Sequence, residues 1–221
     1  MENWRVETRF LKSLPETELA RFQSLQKGND CTLHAISAAL QLLCGADLAP
    51  KDLAAEVNSL WWRGRFYRVL PNWAVTPPMQ ANIVNYLART RGLPVRARLL
   101  HTAPEILRNL PDDDNLAALV TIYWRRGRAP AIYRGATSWN YNQSKSTAGH
   151  TMLFAAFDPE HTNQGGLQTP WGFINSWADA NTELFWMEDE AFRGTWGFRL
   201  PIIGRCATVL ITRDPQAAHT E

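Results

Sequence analysis

Apolar residues recur at three- and four-residue spacing in the first part of the chain, and by alternation or in short unbroken runs in the last part. After Cys31, the set Leu33, Ile36, Ala39, Leu40 and Leu43 marks one helical stripe, with Gly45 as its stop. "PETELARFQ" (Pro15–Gln23) reads as a short lead-in helix and "APKDLAAEVNSLWWRG" as a further one. "TPPMQANIVNYLARTRG" reads as another, with Pro77 and Pro78 near its start and Gly92 at its end. "LPVRARLL" then alternates as a strand does, "APEILRNL" is a short helix, and "LAALVTIYW" (Leu116–Trp124) is a buried strand. The turn-rich, basic stretch "RRGRAPAIYRGATSWNYNQSKSTAG" is expected to be a long loop or a hairpin. Strands follow at "HTMLFAAFD", "WGFINSW", "TELFWM" and "CATVLITR", with "EDEAFRG" as an intervening helical turn.

Helices first and antiparallel strands later define an α+β fold. With no repeats or low-complexity segments, the 221 residues are expected to form one domain. Its helical half runs to about residue 92, its β-rich half over about 93–213, and 214–221 form a tail.

Composition narrows the function classes only a little. A net charge of +2 gives no electrostatic case for nucleic acid or a membrane surface. The stretches "WWRGRFYR", "RTRGLPVRAR" and "WRRGRAPAIYR" interleave basic and aromatic residues, but acidic runs such as "PDDDN" balance them, so they read as solvated faces. No signal peptide or membrane-spanning run is evident, so a cytoplasmic location is expected. Cys31, Cys44 and Cys206 are odd in number and lack ligand spacing, so neither a disulfide framework, a metal site nor a cofactor is expected.

Chemistry enters with the position of Cys31 at a helix start, where unpaired N–H groups and the dipole favour a thiolate. A cysteine nucleophile needs a base, a group that orients the base, and donors for an oxyanion. His150, after Gly149 and at the head of a strand, is the candidate base, and Asn175, in the next strand-like segment, its orienting partner. Asp158 and Asp179 are alternatives to Asn175. Gln26 is the first candidate to join the Cys31 N–H at the oxyanion, with Gln23, Asn29 and Asp30 as alternatives. His34 lies one helical turn from Cys31 and reads as a packing residue. Cys44 and Cys206 read as core, and His101, His161 and His219 as solvent-facing.

The order Gln26, Cys31, His150, Asn175 resembles the papain-like cysteine peptidases. "GH" opening a strand and "INSW" in the next resemble that family's histidine and asparagine boxes, and Trp177 stands where the family has a tryptophan shielding the Asn–His bond. The layout between the boxes is similar to that of bacteriocin-leader (double-glycine) peptidases over roughly Gln26 to Phe192. The spacing of "QKGNDCTLHAI" departs from both, since Gln26 is five residues before the cysteine rather than six and Thr32 follows it. The resemblance implies a papain-like fold with the cysteine helix packed on a β lobe, and cleavage of peptide or isopeptide bonds in a protein or peptide substrate. Deubiquitinase-like, acyltransferase or deamidase activity and a non-catalytic peptide-binding module are its alternatives.

Overall fold

In a computed structural model of the chain, the described residues are 8–59, 75–135, 137–140, 148–177, 182–201 and 203–214. Among these described residues, nine strands form one antiparallel sheet: β1 (Arg9–Phe10), β2 (Val95–His101), β3 (Leu116–Trp124), β4 (Ala131–Arg134), β5 (Thr137–Asn140), β6 (Ala148–Phe157), β7 (Trp171–Ile174), β8 (Phe185–Met187) and β9 (Ala207–Arg213). Their order is β2-β9-β3-β6-β7-β8-β4-β5, and β1 pairs with the far end of β6. The α-helices among the described residues are α1 (Glu16–Leu19), α2 (Cys31–Cys44), α3 (Pro50–Ser59), α4 (Pro77–Arg91), α5 (Pro104–Asn109) and α6 (Asp189–Trp196). The arrangement is α+β. The basic, turn-rich stretch resolves into the β4–β5 hairpin, with Tyr133 opposite Ser138. The continuation of that loop at 141–147 and the stretch "WWRGRFYR" lie outside the described residues.

Alternation along the two central strands divides the core. Leu119 of β3 with Leu153 and Ala155 of β6 face one way and pack with Leu33, Ile36 and Leu40 of α2 and Val84 of α4. Val120, Ile122, Met152 and Phe154 face the other way and pack with Phe192 and Trp196 of α6. Because strand side chains alternate with period two, runs that are apolar on both alternating sets, as β3 and β6 are apart from Thr121, His150 and Thr151, are covered on both faces.

The helix ends follow their residues. Gly45 and Gly92 adopt the left-handed conformation that ends α2 and α4, with φ of 71° and 63°. The outermost strand, β2, is closed by Asn85 of α4. Its Nδ2 donates to the Ala97 carbonyl at 2.8 Å and its Oδ1 accepts from the Ala97 N–H at 2.8 Å. Those two backbone groups would otherwise be open to a further strand.

Candidate active site

Cys31 is the first residue of α2, and Asp30 precedes it as the N-cap without a side-chain capping bond. The helix lies on β6 so that Thr32 reaches Thr151, Oγ1 to Oγ1 at 3.2 Å. Thr121 of β3 lies 3.1 Å from Thr151, and buried Gln80 of α4 donates to both, at 3.0 and 2.9 Å. These polar residues interrupt an otherwise apolar face and fasten Thr151 where its backbone and hydroxyl both bond Cys31.

Burial is the largest influence on the Cys31 thiol and pushes its pKa up. Bonds from the Thr151 and Thr32 backbones act the other way, as donors at a helix start should, while the Asp30 charge adds to the upward push. The net direction is upward, so burial outweighs the helix start and the resting group is a thiol.

His150 is the third residue of β6, the neighbour of Thr151, and buried. Gly149 before it pairs with Tyr123 of β3, and a Cβ at that position would meet the Tyr123 ring at 2.7 Å. Glycine is required there by close approach and not by backbone angle.

β7 ends at Ile174, which brings Asn175 beside His150, with Nε2 and Oδ1 2.6 Å apart. The same Oδ1 accepts the Ser176 N–H at 2.7 Å. Two donors on one oxygen fix the amide's orientation, so the His150 Nε2 carries a proton and Nδ1 is the acceptor nitrogen of the neutral ring. Trp177 stacks on His150, centroids 4.5 Å apart and planes 28° from parallel. Burial lowers the His150 pKa from 6.5 to about 4 despite the upward pull of Asn175, and His34 lowers it further.

Gln26 is half-buried and reaches the asparagine segment. Its N–H donates to the Ser176 carbonyl at 2.9 Å, its Oε1 accepts from Ser176 Oγ at 2.6 Å, and its Nε2 donates to the Gly28 carbonyl at 2.9 Å. Gln23, an alternative from the sequence, is buried and accepts the Asn175 N–H at 3.4 Å. Asp158 bonds Thr8 and the Glu160 N–H, at the end of β6 away from His150. Asp179 lies outside the described residues.

A small cavity of about 10 Å³, room for about one water, is lined by Cys31, His34, Ala35, Ser24, Phe22, Thr151, Ile174, Asn175 and Ser176. Three of its polar members, Ser24, Thr151 and Ser176, were not singled out in the sequence. The available signal was a threonine inside the apolar run "HTMLFAAF" and a serine directly beside the candidate asparagine. His161, expected to face solvent, instead stacks on Trp186 with centroids 3.7 Å apart. Cys44 and Cys206, expected in the core, are half-buried. Among the described residues no group of three or more His, Cys, Asp or Glu could hold a metal ion, and no helix is long and apolar enough to cross a membrane.

Compared with models of protein families and with curated protein sequences, the chain matches none. Its fold does match a solved one. A crystal structure from Bacillus anthracis, provisionally described as a C39-like peptidase, superposes with a TM-score of 0.54 over 94% of this chain and 98% of that one. At 12% identity the likeness is one of fold.

Proposed function

We propose that this chain is a cysteine peptidase of the papain-like type, cleaving peptide or isopeptide bonds through Cys31, His150 and Asn175. The observation that carries the reading is the 2.6 Å bond from His150 Nε2 to Asn175 Oδ1, together with the bonding of Cys31 by Thr151, the next residue along the strand. The B. anthracis structure, provisionally described as a C39-like peptidase, supports it by likeness of fold and no more than that.

The reaction starts from a neutral thiol and a neutral imidazole. The Cys31 proton passes to His150 Nδ1 as the sulfur attacks the substrate carbonyl. The carbon–nitrogen bond then breaks, and His150 returns that proton to the departing amine. Water attacks the resulting thioester, gives a proton through His150 to the sulfur, and releases the acid. Asn175 holds the ring in the tautomer that leaves Nδ1 free to act. The Cys31 N–H at the helix start and the Gln26 amide stabilise the oxyanion in this reading, which requires the Gln26 Nε2 to use its second proton, since the first is engaged by Gly28.

The test is labelling by a peptide-based and a ubiquitin-based thiol probe, read by intact mass on wild type, Cys31→Ala and His150→Ala. Labelling at Cys31 that depends on His150 is expected. Labelling that survives the loss of His150, or none at Cys31, would remove the catalytic reading. Reaction with the ubiquitin probe alone would narrow the substrate to isopeptides.

A further inference from the structure

The proposed reaction gives His34 no part, although its imidazole is buried in the cavity beneath Cys31. Its Nδ1 lies 2.6 Å from Ser24 Oγ, and its Nε2 lies 3.5 Å from Asp30 Oδ2. Ser24 and Asp30 are the two ends of the segment that leads into α2, so one ring touches both. An ionised carboxylate only accepts, so the neutral ring carries its proton on Nε2 toward Asp30 and accepts the Ser24 hydroxyl proton at Nδ1. Both contacts are thus met by a single tautomer. Burial lowers the His34 pKa, which keeps the ring in this neutral form at neutral pH.

The middle of the same segment is tied on its other side. Gln26 exchanges two hydrogen bonds with Ser176, at 2.9 and 2.6 Å, and Ser176 in turn donates its N–H to Asn175. A continuous set of bonds therefore runs from His34 through the segment to the residue that orients His150. A leucine at position 34 would fill the same space but would close neither end.

We propose that His34 is a positioning residue of the Cys31 site: it clamps Ser24 and Asp30 together and so holds Gln26 and the start of α2 in register with Asn175 and Ser176. The proposal rests on Cys31 being the nucleophile. It assigns His34 to the shape of the acyl-transfer site and not to activation of the thiol.

The two roles separate with two reagents. Acylation by p-nitrophenyl acetate needs a shaped carbonyl site, whereas alkylation by iodoacetamide needs only an accessible, activated sulfur. In His34→Ala the burst rate with p-nitrophenyl acetate is expected to fall ~10- to 100-fold, the scale of a misplacement of about 1 Å. Alkylation at Cys31 is expected to change less than about threefold. His34→Gln should recover most of the burst, because its amide can donate to Asp30 and accept from Ser24. Ser24→Ala removes one end of the clamp without touching α2 and should show the same selective loss, so the proposal stays testable should His34→Ala not fold. An equal fall in both reactions, an unchanged burst in Ser24→Ala, or a glutamine variant no better than alanine would overturn it. A wild-type protein with no burst that depends on Cys31 would remove the nucleophile reading, and this proposal with it. A Cys31-dependent burst indifferent to His34 would remove this proposal alone.

Discussion

The Nε2 of His150 and the Oδ1 of Asn175 lie 2.6 Å apart, joining residues 25 positions apart in the chain inside a buried site. Removing the amide leaves a buried N–H with no acceptor and frees the Ser176 N–H as well. Asn175→Ala is therefore expected to cost about 1–3 kcal/mol of stability, and to slow turnover through loss of the ring's tautomer. Thermal unfolding and kcat measured on the same preparation check it. A variant with unaltered melting and unaltered kcat would show that the bond carries neither load.

The packing of Gly149 under Tyr123 gives a steric prediction. A methyl at residue 149 would meet the ring at 2.7 Å, and the paired backbones of β3 and β6 leave little room to yield. Gly149→Ala is expected to destabilise by about 1–3 kcal/mol, and to displace His150, the next residue. Tyr123→Leu in the Gly149→Ala background should restore part of the loss. Chemical denaturation of the single and double variants measures the coupling, and strict additivity would rule out the clash.

Burial of His150 has a pH consequence. Its pKa falls from 6.5 to about 4, so the unfolded chain binds the proton first as pH drops. The contribution of His150 to stability is therefore full above pH 6.5 and is lost as pH falls toward about 4, a loss of about 3 kcal/mol. Replacing His150 by Gln should flatten the fall of melting temperature between those pH values. The acid limb of turnover, set by protonation of the base, should likewise lie well below 6.5. A profile that titrates near the ordinary histidine value would mean that the ring is open to water in solution.

How much of this was legible beforehand differs by level. The strands could be read because β3 and β6 are short runs apolar at nearly every position, bounded by turn residues and rich in β-branched and aromatic side chains, as strands covered on both faces are. α2 could be read because its periodic stripe ended at Gly45, and α4 because Pro77 and Pro78 stood at its start and Gly92 at its end; both glycines adopt conformations that favour glycine. Cys31, His150 and Asn175 stood out by position relative to those elements. His34 did not, because a sequence does not show that Ser24 and Asp30 return to the same ring. The engagement of Gln26 with Ser176 was hidden for a related reason: it joins segments 150 residues apart. The β4–β5 hairpin was one of two readings of its stretch, because the arginines and glycines around it suit a long loop equally well.

Tyr123 supplies a prediction whose sign separates packing from hydrogen bonding. Its ring is held against Gly149, while its hydroxyl is buried and has no hydrogen-bond partner among the described residues. Burial, with a smaller push from Cys31, raises its pKa, so the group is a neutral phenol throughout the useful range. A buried donor with no acceptor costs stability, on the order of 1–3 kcal/mol, and phenylalanine keeps the ring while removing that group. Tyr123→Phe is accordingly expected to leave stability unchanged or raise it by about 1 kcal/mol, with Cys31 alkylation by iodoacetamide retained. Tyr123→Ala should instead destabilise by about 3–5 kcal/mol, because it also opens a cavity beside His150. Urea unfolding of the two variants decides the point. If phenylalanine destabilises as strongly as alanine, the hydroxyl has a partner in solution and is holding the site together.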